Sequence, residues 1–173
     1  MKLKTGDILL VKGKGWIGKV ISLFTKSEYT HSACYIKKST VIESYWGGVK
    51  LVNIKTEGKY DVFRHETATP YQLRKVTEWM ITQVGRGYDY LGLFGIGFSM
   101  LGITKKNHLD GKNEYWCSEL IADAYLHAHI PLDVEEDTWK VSPADFSRSH
   151  YLNKSENKVE TKKRKFLNSR CYW

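Results

Sequence analysis

The fold is decided by a predicted β-hairpin, His31-Ser-Ala-Cys-Tyr-Ile-Lys-Lys-Ser-Thr-Val-Ile-Glu-Ser-Tyr45. Its two arms are rich in β-branched and aromatic residues, and polar residues separate them. If a three-residue loop is centred on Lys37, His31 and Glu43 face each other on one side of the sheet. A different hairpin register would leave Glu43 facing solvent and His31 in a loop.

More strands flank this hairpin along the chain. The segments that favour β-structure after residue 31 are Ser32–Ile36, Val41–Tyr45, Val49–Ile54 and Tyr60–Arg64. A short buried strand, Asp7–Val11, precedes them, and the apolar spacing from Trp16 to Phe24 predicts an amphipathic helix. The four consecutive segments are expected to form an antiparallel meander.

Helices are predicted in the second half of the chain. Thr69-Pro70 is typical of a helix start, and the apolar stripe that follows it ends at Gly85. A second helix is predicted from Tyr115 to about His129, and a short third one after Ser142-Pro143. Strands followed by helices indicate an α+β domain.

Length and composition predict one compact domain. The chain has 173 residues, of which 42 % are apolar, and we assign residues 1–148 to this domain. The longest apolar stretch, Leu91–Ile103, has 13 residues, whereas a membrane-spanning helix needs about 20. Because the first apolar run, Ile8 to Val11, is also too short for a signal peptide, a cytoplasmic location is expected.

Residues 149–173 form a predicted basic tail. They contain seven basic and two acidic side chains, which account for most of the net charge of +8. The cluster Lys162-Lys-Arg-Lys165 suits contact with an anionic surface, although such runs are often simply solvated. No motif for specific nucleic-acid or nucleotide binding accompanies it, and the sequence leaves the oligomeric state open.

No cofactor or metal is required by the sequence. The three cysteines, Cys34, Cys117 and Cys171, lie far apart, and neither a Cys-x-x-Cys nor a His-x-x-x-His pair occurs. His127 and His129 are two positions apart and cannot share one helical face.

Cys117 is the first candidate for chemistry. It falls in the first turn of a predicted helix, where free backbone N–H groups favour a thiolate and can hold an oxyanion. The alternative is a buried structural cysteine. A histidine placed to act as its base would favour catalysis, and His31 with Glu43 opposite it supplies a base and a residue that orients it.

The ordered motifs of this chain resemble a known family, the circularly permuted papain-like amidases of the NlpC-type superfamily, and in particular its YiiX and YaeF group. The resemblance extends from about Thr5 to Phe146. The motifs that carry it are Gly6-Asp-Ile-Leu-Leu-Val11, Thr30-His-Ser-Ala-Cys-Tyr35, Val41-Ile-Glu-Ser44, Gly87-Tyr-Asp-Tyr90, Trp116-Cys-Ser-Glu-Leu120 and Ser142-Pro-Ala-Asp-Phe146.

The resemblance implies an antiparallel sheet with the cysteine-bearing helix packed against it. It also implies that Cys117 is the nucleophile, His31 the general base and Glu43 the residue that orients it. Tyr88 matches the tyrosine of the family's Tyr-Asp motif and is expected to line the substrate pocket. The residues after His31 are bulkier than is usual in the family, and the basic tail lies outside its pattern.

The expected function is a cysteine hydrolase that cleaves an amide or acyl bond through a thioester. Its substrate would be a cell-wall-type peptide or an acylated amino compound. One alternative is an acyltransferase that resembles lecithin:retinol acyltransferase, with Leu91–Ile103 as an acyl groove and the tail as a membrane tether. Another is a non-catalytic binding module on the same scaffold.

Overall fold

One antiparallel sheet organises the computed structural model, which describes residues 2–13, 22, 26–54, 60–89 and 114–155. The strands in this part of the chain are β1 Ile8–Lys12, β2 Tyr29–Lys37, β3 Thr40–Tyr45, β4 Gly48–Asn53, β5 Tyr60–His65 and β6 Leu152–Lys154. They lie in the order β4-β3-β2-β1-β5-β6. The five strands predicted from the sequence are confirmed. β6 joins the sheet from the stretch that we assigned to the tail, beyond residue 148.

The strand order differs from the predicted meander at β5. β2, β3 and β4 are consecutive neighbours, but β5 pairs with β1. Ile8, Leu9 and Leu10 of β1 are at most 2 % exposed. A strand buried on both faces needs hydrogen-bonding partners along both edges, and β2 and β5 supply them. The meander prediction is therefore wrong for the last of its four strands.

The β2–β3 hairpin has a different turn from the predicted one. Lys38 and Ser39 both adopt positive φ angles, 47° and 65°, so the turn has two residues and not three. The register shifts between Tyr35 and Lys37 and then pairs Cys34 with Ile42. One step further along both strands, the same register places Glu43 opposite Ala33. The predicted direct pairing of Glu43 with His31 is therefore wrong.

Glu43 nevertheless stays on the same face of the sheet as His31. Side chains alternate between faces, so His31 and Ala33 project to the same side. A two-residue turn with no irregularity would place Glu43 on the opposite face. The register shift next to Ile36 adds the one residue that restores the common face.

The helices are α1 Pro70–Thr82, α2 Cys117–His127 and α3 Pro143–Arg148, with a 3₁₀ turn at Thr138–Lys140. The predicted start of α1 is confirmed, because the Thr69 hydroxyl accepts the Gln72 N–H and the Gln72 side chain accepts the Thr69 N–H. α2 is shorter than predicted, since His129 turns into the left-handed region at a φ of 55°. No helix of the described residues is long and apolar enough to cross a membrane.

The core lies between the sheet and these helices. α2 contributes its buried stripe, and α1 and α3 add Val76, Met80 and Phe146. The Tyr125 hydroxyl of α2 donates to the Gly6 carbonyl oxygen at 2.7 Å, which ties the helix to the start of β1. The helix predicted between Trp16 and Phe24 (apart from Ser22), the segment Leu91–Ile103 and the tail beyond residue 155 lie outside the described residues.

The turn between β3 and β4 is fixed to the end of α1. Gly47 and Gly48 adopt positive φ angles of 86° and 98°. The Val49 N–H donates to the Arg86 carbonyl oxygen, and the Gly85 N–H donates to the Val49 carbonyl oxygen, both at 2.9 Å. A Cβ atom at Gly48 would lie 2.0 Å from the Arg86 carbonyl oxygen, so only glycine fits there.

Gly48→Ala is expected to lower the free energy of unfolding by about 3 kcal/mol, because it adds a backbone clash to a strained φ. Gly47→Ala is the matched control. It carries a similar φ, but its Cβ would have no atom within 4 Å, so we expect a loss of only about 1–2 kcal/mol. Urea unfolding measures both losses. Equal losses would contradict the close contact with Arg86.

Candidate active site

Cys117 is the first residue of α2 and lies where that helix meets β2 and β3. The Ser44 hydroxyl of β3 donates to the Tyr115 carbonyl oxygen, just before the helix. The buried hydroxyls of Ser32 in β2 and Ser118 lie 3.2 Å apart. Both strands therefore hold the helix start, and Cys117 is 4 % exposed.

His31 connects the other two predicted residues. Its Nε2 lies 2.9 Å from Glu43 Oε2, and the two side chains are 16 % and 17 % exposed. The Cys117 thiol is also near the imidazole, because each of the two groups shifts the pKa of the other. The structure thus places His31 beside Glu43 and near Cys117, and the catalytic roles of the three residues remain a prediction.

The electrostatics of the pair favour an imidazolium and a thiolate. Burial opposes charge on His31, but its hydrogen bonds to Cys117 and Glu43 and their negative charges raise the pKa of His31 above its ordinary value. Burial likewise raises the pKa of Cys117. The hydrogen bond and charge of His31, with hydrogen bonds from Ser32, outweigh that effect and lower the pKa of Cys117 below its ordinary value.

Glu43 is held in its charged form. Burial raises the pKa of its carboxyl group, but the hydrogen bond and charge of His31 and the charge of Lys50 lower it further than burial raises it. Lys50 lies directly across from Glu43 in the β3–β4 pair. A charged carboxylate at this position stabilises the imidazolium and fixes the orientation of the ring.

The start of α2 is also suited to stabilise an oxyanion, which is a negatively charged oxygen atom. Leu120 donates its N–H to the Trp116 carbonyl oxygen at 3.2 Å, as the helical pattern requires. The first N–H groups of an α-helix generally lack a carbonyl acceptor within the helix. Such groups can stabilise an oxyanion that forms beside a helix start during attack on a carbonyl group.

Aromatic side chains lie near both members of the pair. Trp116 and Cys117 form a buried cluster against which Tyr88 and Trp139 pack. The rings of His31 and Tyr45 make an edge contact, with centroids 5.0 Å apart. Tyr88, which the sequence assigned to substrate binding, therefore packs against the cluster that contains Cys117, and its part in binding remains a prediction.

The sequence did not identify Ser32, Ser118, Trp139 or Tyr45 as neighbours of the site. Ser32 and Ser118 are adjacent to His31 and Cys117 in the chain, which was the available signal for them. Trp139 lies in a 3₁₀ turn far along the chain, and nothing in its local sequence indicates where it packs.

Cys34 and His65 lie away from this site. Cys34 is fully buried, and burial with the nearby charge of Asp7 raises the pKa of its thiol to about 12. His65 Nε2 donates to the Pro131 carbonyl oxygen at 2.8 Å, and its Nδ1 accepts backbone N–H groups of Thr67 and Ala68. Both side chains have structural contacts in the described part of the chain.

Comparisons with known proteins point to one family. A family model for the permuted papain-like amidase enzymes YaeF/YiiX, the C92 family, matches residues 2–154. The probable lipoprotein peptidase YaeF of Escherichia coli K12 is 26 % identical over 187 residues, covering 92 % of this chain and 68 % of that protein. The crystal structure of the metalloprotein YiiX from Escherichia coli O157:H7 matches with a TM-score of 0.68 at 19 % identity, over 90 % of this chain and 97 % of that one.

The structural match supports the permuted papain-like fold. A metal belongs to the description of YiiX. Among the residues that the structure describes here, no three His, Cys, Asp or Glu side chains lie close enough together to hold an ion. These residues therefore do not form a metal site by themselves.

Proposed function

The chain belongs to the C92 family of permuted papain-like amidases, and from this membership and the site geometry we propose that it hydrolyses an amide or acyl bond through a thioester on Cys117. The observation that carries the proposal is the position of His31, which hydrogen-bonds Glu43 and is near enough to the buried Cys117 thiol for the two groups to shift each other's pKa. This is the arrangement of nucleophile, base and orienting group that covalent acyl transfer needs.

The reaction steps follow from the protonation of the pair, in which Cys117 is a thiolate and His31 an imidazolium. The Cys117 thiolate attacks the substrate carbonyl carbon, and the N–H groups at the start of α2 stabilise the oxyanion. The His31 imidazolium then donates a proton to the departing amine, and the carbon–nitrogen bond breaks. The neutral imidazole accepts a proton from water, which attacks the thioester, releases the acid and regenerates the thiolate.

The substrate is a peptide or an acylated amino compound in this proposal. The name of the relative YaeF, probable lipoprotein peptidase, fits a peptide bond as the target. The proposed acyl groove of an acyltransferase, and the part of its proposed membrane tether beyond residue 155, lie outside the described residues, so no contact in the described part of the chain favours transfer over hydrolysis. A cell-wall-type peptide remains one candidate substrate within this class.

An activated ester tests the proposal without knowledge of the natural substrate. We expect p-nitrophenyl acetate to acetylate Cys117 in a rapid burst, because the hydrogen bond and charge of His31 lower the pKa of Cys117 and so favour its thiolate. Peptide mass spectrometry locates the acetyl group, and Cys34 in the same sample is the internal control, because its raised pKa keeps it protonated. Equal modification of both cysteines, or of neither, would argue against an activated nucleophile at Cys117.

A further inference from the structure

Two aromatic residues at the end of β3, Tyr45 and Trp46, extend the site on the His31 side. We propose that they bind an apolar group on the leaving amine of the substrate. This inference rests on the proposed function, because it concerns the amine that departs when the Cys117 thioester forms. It adds to the proposed function a preference for substrates whose leaving amine carries an apolar group.

The first argument is position. The Tyr45 ring meets the His31 imidazole at 5.0 Å between centroids, with an angle of 61° between the planes. Tyr45 is 41 % exposed, so its ring presents a large surface to solvent beside His31, and Trp46, the next residue in the chain, is 61 % exposed. A substrate group bound beside His31 on this side would contact the Tyr45 ring.

The second argument is the direction of the reaction. His31 must donate its proton to the leaving nitrogen, so the amine component lies on the His31 side. The acyl component stays bonded to Cys117, which belongs to the cluster that Tyr88 and Trp139 pack against. Tyr45, which contacts His31, is therefore assigned to the leaving amine, and Tyr88 to the acyl group.

The third argument is the chemistry of the surface. Lys50 lies near Tyr45: its Nζ donates to the Trp46 carbonyl oxygen at 3.4 Å and lies 5.5 Å from the centre of the Tyr45 ring. These contacts occupy the ammonium group, and the side chains of tyrosine and tryptophan are largely apolar rings. An apolar side chain or aromatic ring suits such a surface.

The fourth argument is rigidity. The turn that follows Trp46 is fixed to Arg86 by the close approach of Gly48 and by the Val49 hydrogen bond. Arg86 is two residues before Tyr88 in the chain. The segment that holds the turn after Trp46 therefore also leads to Tyr88. A preorganised surface loses less entropy when it binds a ligand.

Transfer of an acetyl group to amines tests the proposal. The enzyme is acetylated with p-nitrophenyl acetate in the presence of equal concentrations of free glycinamide or phenylalaninamide. In the transfer step the amine nitrogen bonds to the carbonyl carbon, the carbon–sulfur bond breaks, and the amine proton passes to His31. This is the reverse of amine departure, so the acceptor occupies the leaving-amine position. Chromatography measures each N-acetyl amide against free acetate.

We expect the wild-type enzyme to form at least about 10-fold more N-acetyl-phenylalaninamide than N-acetyl-glycinamide, and Trp46→Ala to reduce this ratio to about 2–3-fold. After subtraction of the N-acetyl amides that form in samples without protein, this ratio does not depend on the fraction of active enzyme. Tyr71→Ala is the matched control, because Tyr71 is an exposed aromatic residue on α1, 58 % exposed, and this variant should keep the wild-type ratio.

Equal transfer to both amines, including none to either, would overturn the proposal, as would an unchanged ratio in Trp46→Ala. In those cases acetylation of Cys117 by the ester would still support the proposed hydrolase. Absence of Cys117 acetylation would instead overturn the hydrolase and this inference together, so the two failures are distinguishable.

Discussion

Cys117→Ser is expected to lower kcat/KM for any amide or ester substrate of this protein by about 10⁴-fold or more. Serine is close to cysteine in shape and can keep the neighbouring contacts of Ser32 and Ser118. Its hydroxyl, however, has a pKa far above that of a thiol, so His31 cannot hold it as an anion near neutral pH. The loss is therefore expected in the chemical step, and p-nitrophenyl acetate turnover measures it.

Cys34→Ser is the matched control for this prediction. Cys34 is the other buried cysteine of the described residues, and it lies in the core of β2. A hydroxyl there lacks the apolar contacts of the thiol, so this variant is expected to lose stability and keep its kcat/KM below the unfolding temperature. Comparable activity losses in the two variants would show that the effect of Cys117→Ser comes from folding.

The hairpin shows how far the sequence could predict the site. The prediction placed His31 and Glu43 on one face through a three-residue loop, whereas the structure reaches the same face through a two-residue turn and a register shift next to Ile36. The actual turn depends on left-handed conformations at Lys38 and Ser39, residues with no strong preference for them. The register therefore could not be read from the sequence, and only the structure shows the shift next to Ile36.

The start of α2 was predictable for a different reason. A cysteine followed by an apolar stripe at helical spacing identifies the first turn, and helix geometry supplies the free N–H groups. The contact between Ser32 and Ser118 was not predictable, because it joins residues 86 positions apart. The same holds for Trp139, whose packing against Cys117 depends on the path of the chain between distant elements.

The opening motif Gly6-Asp7 also acquires a physical explanation from the structure. The buried Asp7 carboxylate accepts two hydrogen bonds from Arg64 of β5, both at 2.7 Å. The Gly6 carbonyl oxygen accepts the Tyr125 hydroxyl of α2. The motif thus joins β1 to β5 and to the cysteine-bearing helix, and these distant partners explain why local pattern alone predicted a strand but not its neighbours.

His31→Ala is expected to slow iodoacetamide alkylation of Cys117 at pH 6.5 by up to about 100-fold. An ordinary thiol with a pKa near 8.5 is only about 1 % thiolate at this pH. In the wild-type protein, the hydrogen bond and positive charge of His31 lower the pKa of Cys117, so the thiolate forms at lower pH. Without His31, only the hydrogen bonds of Ser32 oppose the effect of burial, so the pKa of Cys117 rises and the whole profile moves to higher pH.

The pH profile from 5 to 9 separates this role of His31 from a general structural one. His127→Ala, an exposed histidine at the other end of α2, should leave the profile unchanged. Glu43→Gln keeps a hydrogen-bond acceptor but removes the negative charge, so the pKa of His31 should fall. The upper transition, where the imidazolium loses its proton, should then move to lower pH while alkylation at pH 6.5 changes much less than in His31→Ala. If the wild-type protein shows the profile of a free thiol and His31→Ala leaves it unchanged, Cys117 and His31 do not form an ion pair, and the hydrolase proposal loses its electrostatic basis.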